Sequence, residues 1–540
     1  MKSSTMHPKA SILNIPLELL IEILKCLDYR TVLNCSQVCK EFHQIIKDSL
    51  ELQYKIELEA DGMIDGPRTV GSWSTSERLQ LLLDRRARWR TLDWTRIVTL
   101  PLVGFCHAYE LVGGVFAKTM GVGDNVGARH LTVASLPTRY DDGDMRILED
   151  LGVTSRDFAI DPSQDLITLV DIDDSIPVNV RVTLHLRTIS TNTAHKQASK
   201  PALECRAPGR ITSCFIQIVD DIVGMFFWLQ GPTLMIWNWR TGRLVVHCVA
   251  DYNEGGQHPR PHERALPQLP QETWDFAFLS SRAFLLNSIH GRGFVHLFSF
   301  DGNGDPEIPP TLHATLTMPA LEPPNTVHHF ATHSAPFLGG DSSMGKPFTT
   351  DESSRIYMMT ITYGQRARFH LFVKSEFLMS FFPSKPSDAK KGRPPMIDWK
   401  DWGPTKTRFI ENDIHYQWLR YVHGHRAVMP PIPRPMSSWP ISHHRLCVFD
   451  FKVHPTRLHD PCKAPSSKRA RYHIVTIPTL IERKELFKER VETRLPYSVS
   501  SLEDKFNYSG FMIDEERLIG MKSSSSLGEG DLSKIDIFTF

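Results

Sequence analysis

The sequence predicts an α+β multidomain chain: a small N-terminal three-helix module over residues 11–50, a helical linker over 51–99, and an all-β domain over 100–540, a six- or seven-bladed β-propeller. Three observations predict it. Near the N-terminus apolar residues recur at spacings of three and four, as on one face of a helix. Beyond Leu100 they recur in short runs of β type between turn residues. The 540 residues exceed one ordinary core, and 37 prolines with 32 glycines supply many turns.

From Ile15 the chain reads I-P-L-E-L-L-I-E-I-L-K-C-L. Leu19, Leu20, Ile23, Leu24 and Leu27 fall around one wide apolar helix face, and Pro16 suits the first turn, where its missing N–H costs nothing. After a break at Asp28 to Arg30, Thr31 is placed to cap a second helix carrying Val32, Leu33, Cys35 and Val38. Phe42, Ile45 and Ile46 continue a third stripe. A module of fewer than about 40 residues rarely holds itself together, and this one offers neither a metal site nor a disulfide framework. A partner is the expected source of its stability.

Ile15, Pro16, Glu18, Leu19, Leu20, Ile23, Leu24 and Leu27, followed by Val38, Cys39 and Phe42, resemble the F-box pattern of Leu-Pro-x-Glu-Leu, Ile-Leu, Leu and Val-Cys-x-x-Trp. Ile15 stands for the usual leucine and Phe42 for the usual tryptophan, and both keep the position apolar. The resemblance implies that the module docks on a Skp-type adaptor, which joins a cullin scaffold to build a ubiquitin ligase. It implies Ile15, Pro16, Leu19, Leu20, Ile23, Leu24, Leu27, Val38, Cys39 and Phe42 as the adaptor-binding residues. Without the resemblance, the same stripes fit a helical hairpin packed on its own downstream domain.

Leu50 to Asp65 and Glu77 to Trp94 read as linker helices, with Leu52, Ile56, Leu79, Leu82 and Leu83 on apolar stripes. The stretch Gln53-Tyr54-Lys55-Ile56-Glu57-Leu58 through Gly62, with Trp89-Arg90-x-Leu92, is similar to the F-box families expanded in mushroom-forming fungi. Arg85, Arg86, Arg88 and Arg90 read as a solvated or salt-bridged helix face rather than a phosphate contact.

In the β domain, runs at Ala108 to Ala117, Ala159 to Ile172, Val180 to Leu186 and Phe215 to Ile218 alternate or stay apolar between turns. The clearest unit is Ile222 to Val249, where strands are separated by Gly231-Pro232 and by Arg240-Thr241-Gly242; it resembles the outer half of a WD-type propeller blade. Similar pairs recur at Trp274 to Phe300, Ile356 to Val373, Leu446 to Val453 with Tyr472 to Ile477, and Phe511 to Phe540. A ring removes exposed strand edges, and the last strand, Ile535 to Phe540, is expected to close it against the first blade. The repeat lacks consistent Gly-His or Trp-Asp pairs, so a β-sandwich or two smaller β domains also fit. Thr188 to Arg210, Tyr252 to Glu272, Pro383 to Pro404 and Pro455 to Arg471 read as surface loops, the expected places for target contact.

No local motif anchors chemistry. Gly121 to Gly127 lacks dinucleotide spacing, and no GxSxG elbow, phosphate-binding loop or EF-hand loop occurs. His328, His329 and His333, and His443, His444 and Cys447, lack the spacing of a tetrahedral metal site. Catalytic residues, cofactors and metals are therefore expected to be none. With 62 basic and 61 acidic residues the formal charge is +1, which favours neither nucleic acid nor an anionic membrane. Nine scattered cysteines without a CxxC pair suit a reducing compartment, cytoplasmic or nuclear. The first functional expectation is a non-catalytic receptor that recruits an unidentified protein target for ubiquitination. A non-degradative scaffold and a propeller whose polar funnel holds a small ligand or an active site are the alternatives.

Overall fold

A computed structural model describes residues 12, 15–67, 73–102, 105–121, 128–176, 179–207, 209–229, 231–250, 266–339, 346–364, 367–383, 393–412, 419–429, 444–453, 470–506, 508–523 and 532–540. The chain forms two compact units, residues 1–88 with 343–351 and residues 89–342 with 352–540. No helix among the described residues is long and apolar enough to cross a membrane.

The first unit contains α1 (Leu17–Lys25), α2 (Tyr29–Cys35), α3 (Lys40–Asp48), α4 (Leu50–Ala60) and most of α5 (Thr75–Thr91). Each of the first four starts has a local cause. Pro16 stands at the N-cap of α1. The second helix begins at Tyr29 rather than after Thr31, because the Asp28 carboxylate accepts from the backbone N–H groups of Arg30 and Thr31 at 3.0 and 3.1 Å. The Cys39 thiol and the Ser49 hydroxyl accept from Phe42 N and Leu52 N at the starts of α3 and α4.

Leu20, Leu24, Tyr29, Val32, Phe42 and Ile46 form a core with Leu52, Ile56 and Ala60 of α4. Those last three are spaced by four residues, so one face of α4 closes the three short helices. The stripe offset by two, Tyr54 and Leu58, packs instead with Met63, Leu82 and Phe348. Much of the apolar surface that appeared to need a partner is thus covered by the chain's own fourth helix.

After α4, Gly62 takes φ 67°, which ends the helix, and Met63–Asp65 turns into a strand paired antiparallel with Phe348–Thr350. The helix expected through Asp65 therefore stops short of it. Arg78, 1 % exposed, donates to Asp65 Oδ1 at 2.7 Å, Gly66 O at 3.0 Å and Pro347 O at 2.7 Å. Arg86 pairs with Asp61 and Glu57, and Arg88 with Asp84, so these members of the basic run are neutralised along the helices. At Gly66 an added Cβ overlaps the backbone carbonyl of Lys346. Gly66→Ala is expected to push the paired segment away and to destabilise this unit by about 1–3 kcal/mol, read as a lower urea midpoint.

The second unit is a seven-bladed β-propeller, and every strand pair inside its four-stranded meanders is antiparallel. Blade 1 starts with Phe105–Val112, blade 2 with Asp157–Asp161, blade 3 with Ser213–Val219, blade 4 with Thr273–Ser280, blade 5 with Val327–His333, blade 6 with Val422–His423 and blade 7 with Gly510–Ile513. Blade 7 takes its outer strand, Arg96–Pro101, from the start of the domain. That strand pairs with Leu532–Thr539, so the final strand does close the ring, though by pairing within blade 7 rather than with the first blade as expected.

Blade 3 explains why its strands read as unbroken apolar runs. Val223, Met225 and Phe227 face a core shared with Leu166, Val170 and Val182 of blade 2, while Ile222 and Phe226 face Phe276, Phe278 and Phe284 of blade 4. Successive side chains point to opposite faces, and both faces are covered. The tight Val112–Val115 hairpin uses Gly113 and Gly114 at φ 56° and 80°, as a two-residue turn requires.

Two segments read as loops carry structure. Ala202–Ala207, within Thr188 to Arg210, is the outer strand of blade 2. Within Pro383 to Pro404, Met396–Ile397 adds in parallel to the edge of blade 4, and Trp399–Lys406 begins a helix whose Trp399 and Trp402 are buried. Trp402 Nε1 donates to Thr317 O at 3.1 Å, so the indole buries without losing its hydrogen bond. Residues 251–265 and 454–469, and with them most of the other two expected loops, lie outside the described residues, as does most of Gly121 to Gly127.

Candidate functional site

Two places present side chains that the fold does not use up. The first lies on the helical unit. Along α1, Leu20 and Leu24, each 2 % exposed, point into the core. Leu19 and Ile23, one turn apart, are 56 % and 42 % exposed; Leu17 is 51 % exposed, and Val38, between α2 and α3, is 73 % exposed. These are aliphatic groups with no polar atom to offer. They can dock a surface but can perform no chemistry.

The second lies in the propeller. The first strands of blades 1 to 5, with Leu419–Val422 leading into blade 6, line a cavity of about 620 Å³. Glu110 of blade 1 accepts from Arg420 with both carboxylate oxygens, Oε2 at 2.8 Å from Nε and Oε1 at 2.6 Å from Nη2. Burial raises the Glu110 pKa even though Arg420 opposes the shift. Asp157 of blade 2 and Asp275 of blade 4 are half-buried at the cavity surface. Burial pushes each of their carboxyls up to about 7. Asp157 accepts from Phe158 N at 2.8 Å, and Asp275 from Thr332 N at 2.5 Å.

His333 of blade 5 is pushed down to about 3 by burial, with His329 and Arg420 adding to the shift, so it is a neutral imidazole at pH 7. Its ring lies 5.1 Å from that of Tyr421. Cys214, which also lines the cavity, is pushed up to about 12 by burial and is no activated thiolate. Glu110, Asp157, Asp275 and His333 thus bring hydrogen-bond acceptors to the cavity wall.

Comparison with known families bears on the helical unit. Residues 12–53 match the F-box domain family. Residues 12–53 are an F-box domain. The F-box therefore extends through α1, α2 and α3 into the start of α4, the helix that closes its core. No curated protein sequence matches the chain.

Among solved structures, the chain is similar to the Cps50 (Swd1) β-propeller domain of Myceliophteria thermophila, 8 % identical over 83 % of this chain and 99 % of that one, with a TM-score of 0.35. It is also similar to the WD40 β-propeller domain of Doa1, 10 % identical over 83 % and 98 % of the two chains, with a TM-score of 0.33. At these scores the propeller rests on its own strand pairing.

The residues expected to bind an adaptor fall into three groups within the F-box. Pro16, Leu19, Ile23 and Val38 are exposed, and Ile15, Leu27 and Cys39 are half-buried. Leu20, Leu24 and Phe42 are core residues. Leu17 was absent from the expected set although it sits on the same helix and is as exposed as Leu19. Its signal was its place in I-P-L-E-L, directly after the proline. The acidic groups of the cavity had no local signal at all, because each comes from a different blade.

Proposed function

We propose that this protein is the substrate receptor of an SCF-type cullin ubiquitin ligase. The F-box binds a Skp-type adaptor and, through it, a cullin; the propeller recruits a protein target, and other subunits transfer ubiquitin. The receptor's contribution is proximity. One observation carries this reading. The F-box core is already complete, yet Leu17, Leu19, Ile23 and Val38 remain in water. Grouped on one side of the domain, these side chains offer a partner an apolar surface, and covering what is still exposed of each is favourable by roughly 1 kcal/mol.

The test is co-purification of the full chain with a Skp-type adaptor. Leu19→Asp with Ile23→Asp places two carboxylates in the apolar interface, each opposed by a few kcal/mol of desolvation, so affinity is expected to fall by roughly a hundredfold or more. The melting temperature of the variant is expected to stay within about 2 °C of the parent, since exposed positions contribute little to stability. Adaptor recovery equal to that of the parent would refute the reading. Ubiquitin transfer in a reconstituted ligase then separates a receptor from a scaffold that holds the adaptor alone.

A further inference from the structure

We propose that the cavity at the centre of the propeller binds an organic cation, an alkyl ammonium or guanidinium group, through the carboxylates of Asp157 and Asp275 and the imidazole of His333. The proposal goes beyond the receptor reading and does not rest on adaptor binding.

Charge comes first. Of the two guanidinium groups lining the cavity, Arg420 is engaged by Glu110 and Arg156 donates to Asp174 at 3.0 Å. That leaves Asp157 and Asp275 without an ion-pair partner among the described residues, each holding only backbone N–H bonds. Two half-buried carboxylates without a cation are unfavourable in the free protein, and a positive ligand relieves both.

His333 adds a polar group from a further blade to the same wall. Its half-buried ring lines the same cavity, 5.1 Å from the ring of Tyr421. A neutral imidazole presents one acceptor and one donor. With four carboxylate oxygens nearby, the wall is rich in acceptors and matches an ammonium with three donors or a guanidinium with five.

Size and dispersion decide between a metal ion and an organic cation. The acidic groups stand on separate blades, and no group of three or more metal-ligating side chains converges among the described residues. A compact ion cannot reach all of them. The volume of about 620 Å³ falls in the range of small-molecule sites, roughly 300–1,000 Å³. Phe215 and Phe337 supply apolar wall for an alkyl stem.

The cation could arrive as a free amine or guanidine or as an arginine side chain of a bound protein, and two probes separate these sources. Calorimetric titration of the full chain at pH 8 would use agmatine in one arm and acetyl-Gly-Arg-Gly-amide in the other, with butylurea as the uncharged control. At least one cationic probe is expected to bind with Kd below about 1 mM, and butylurea is expected not to bind. Asp157→Asn and Asp275→Asn each keep the acceptor oxygen for the backbone N–H, and each is expected to weaken binding roughly tenfold or more.

The same variants without ligand are expected to melt at or above the parent temperature, because they remove an uncompensated charge. A carboxylate kept for structure would give the opposite shift. Absence of saturable binding by both probes on the folded parent overturns the proposal, as does unchanged affinity in the double variant. Loss of adaptor binding in the F-box experiment bears on neither result.

Discussion

Deleting Leu532–Phe540 is expected to leave no cooperatively folded propeller. The strand Leu532–Thr539 is hydrogen-bonded on both sides, to Arg517–Ser523 and to Arg96–Pro101. Its loss exposes one strand edge and strands Arg96–Pro101 without a partner. Leu532, Ile535 and Ile537 fill the core between blades 7 and 1 with Phe116, Leu111 and Ile519. Phe538 and Phe540 fill a second core with Trp89 and Leu92, and Phe540 stacks on Trp89 at 4.2 Å.

At about 2 kcal/mol for each of these buried apolar side chains, the deletion removes on the order of 10 kcal/mol. Whole domains are stable by only about 5–15 kcal/mol. The expected outcome is loss of the cooperative near-UV melting transition and recovery of the chain mainly in aggregates. A sharp transition retained within about 5 °C of the parent would mean that closure by this strand does not hold the ring.

The closure was legible because Ile535 to Phe540 alternates apolar residues as a paired strand does, and a ring supplies a partner without leaving edges. Blade 3 was legible for a related reason: Gly231-Pro232 and Thr241-Gly242 punctuate runs long enough to be strands and too short to be helices. Ala202–Ala207 was not, because an outer strand carries Glu204 and Arg206 and follows a stretch of Ser, Lys and Pro. The helix Trp399–Lys406 contains Gly403 and Pro404, poor helix formers; burial of its two tryptophans outweighs the local preference.

The pairing of Met63–Asp65 with Phe348–Thr350 joins residues nearly three hundred positions apart, and neither segment is long enough to read as a strand alone. The cavity is the extreme case. Glu110, Asp157, Asp275 and His333 each stand on the first strand of a different blade, so only the ring brings them together.

Periodicity could place a wide apolar face on α1 but could not say which part of it faces inward, and this distinction has its largest consequence at Ile23 and Leu24. Leu24→Asp is expected to unfold the F-box. The side chain is buried among Leu20, Val32, Phe42 and Ile46 and against Leu52 and Ile56 of α4. Removing the leucine forfeits about 2–3 kcal/mol of burial, and a carboxylate without a partner in that site adds a few kcal/mol more.

A unit this small has little more than that to lose. The helical circular dichroism signal of its transition should disappear, and adaptor binding with it. Ile23→Asp, on the exposed side of the same turn, is expected to change stability by less than about 1 kcal/mol while still weakening the adaptor complex. Adaptor binding alone cannot separate the two substitutions, since both lose it; the helical signal does. If Leu24→Asp kept its helices or Ile23→Asp lost them, the division of α1 into a packed side and a docking side would be wrong.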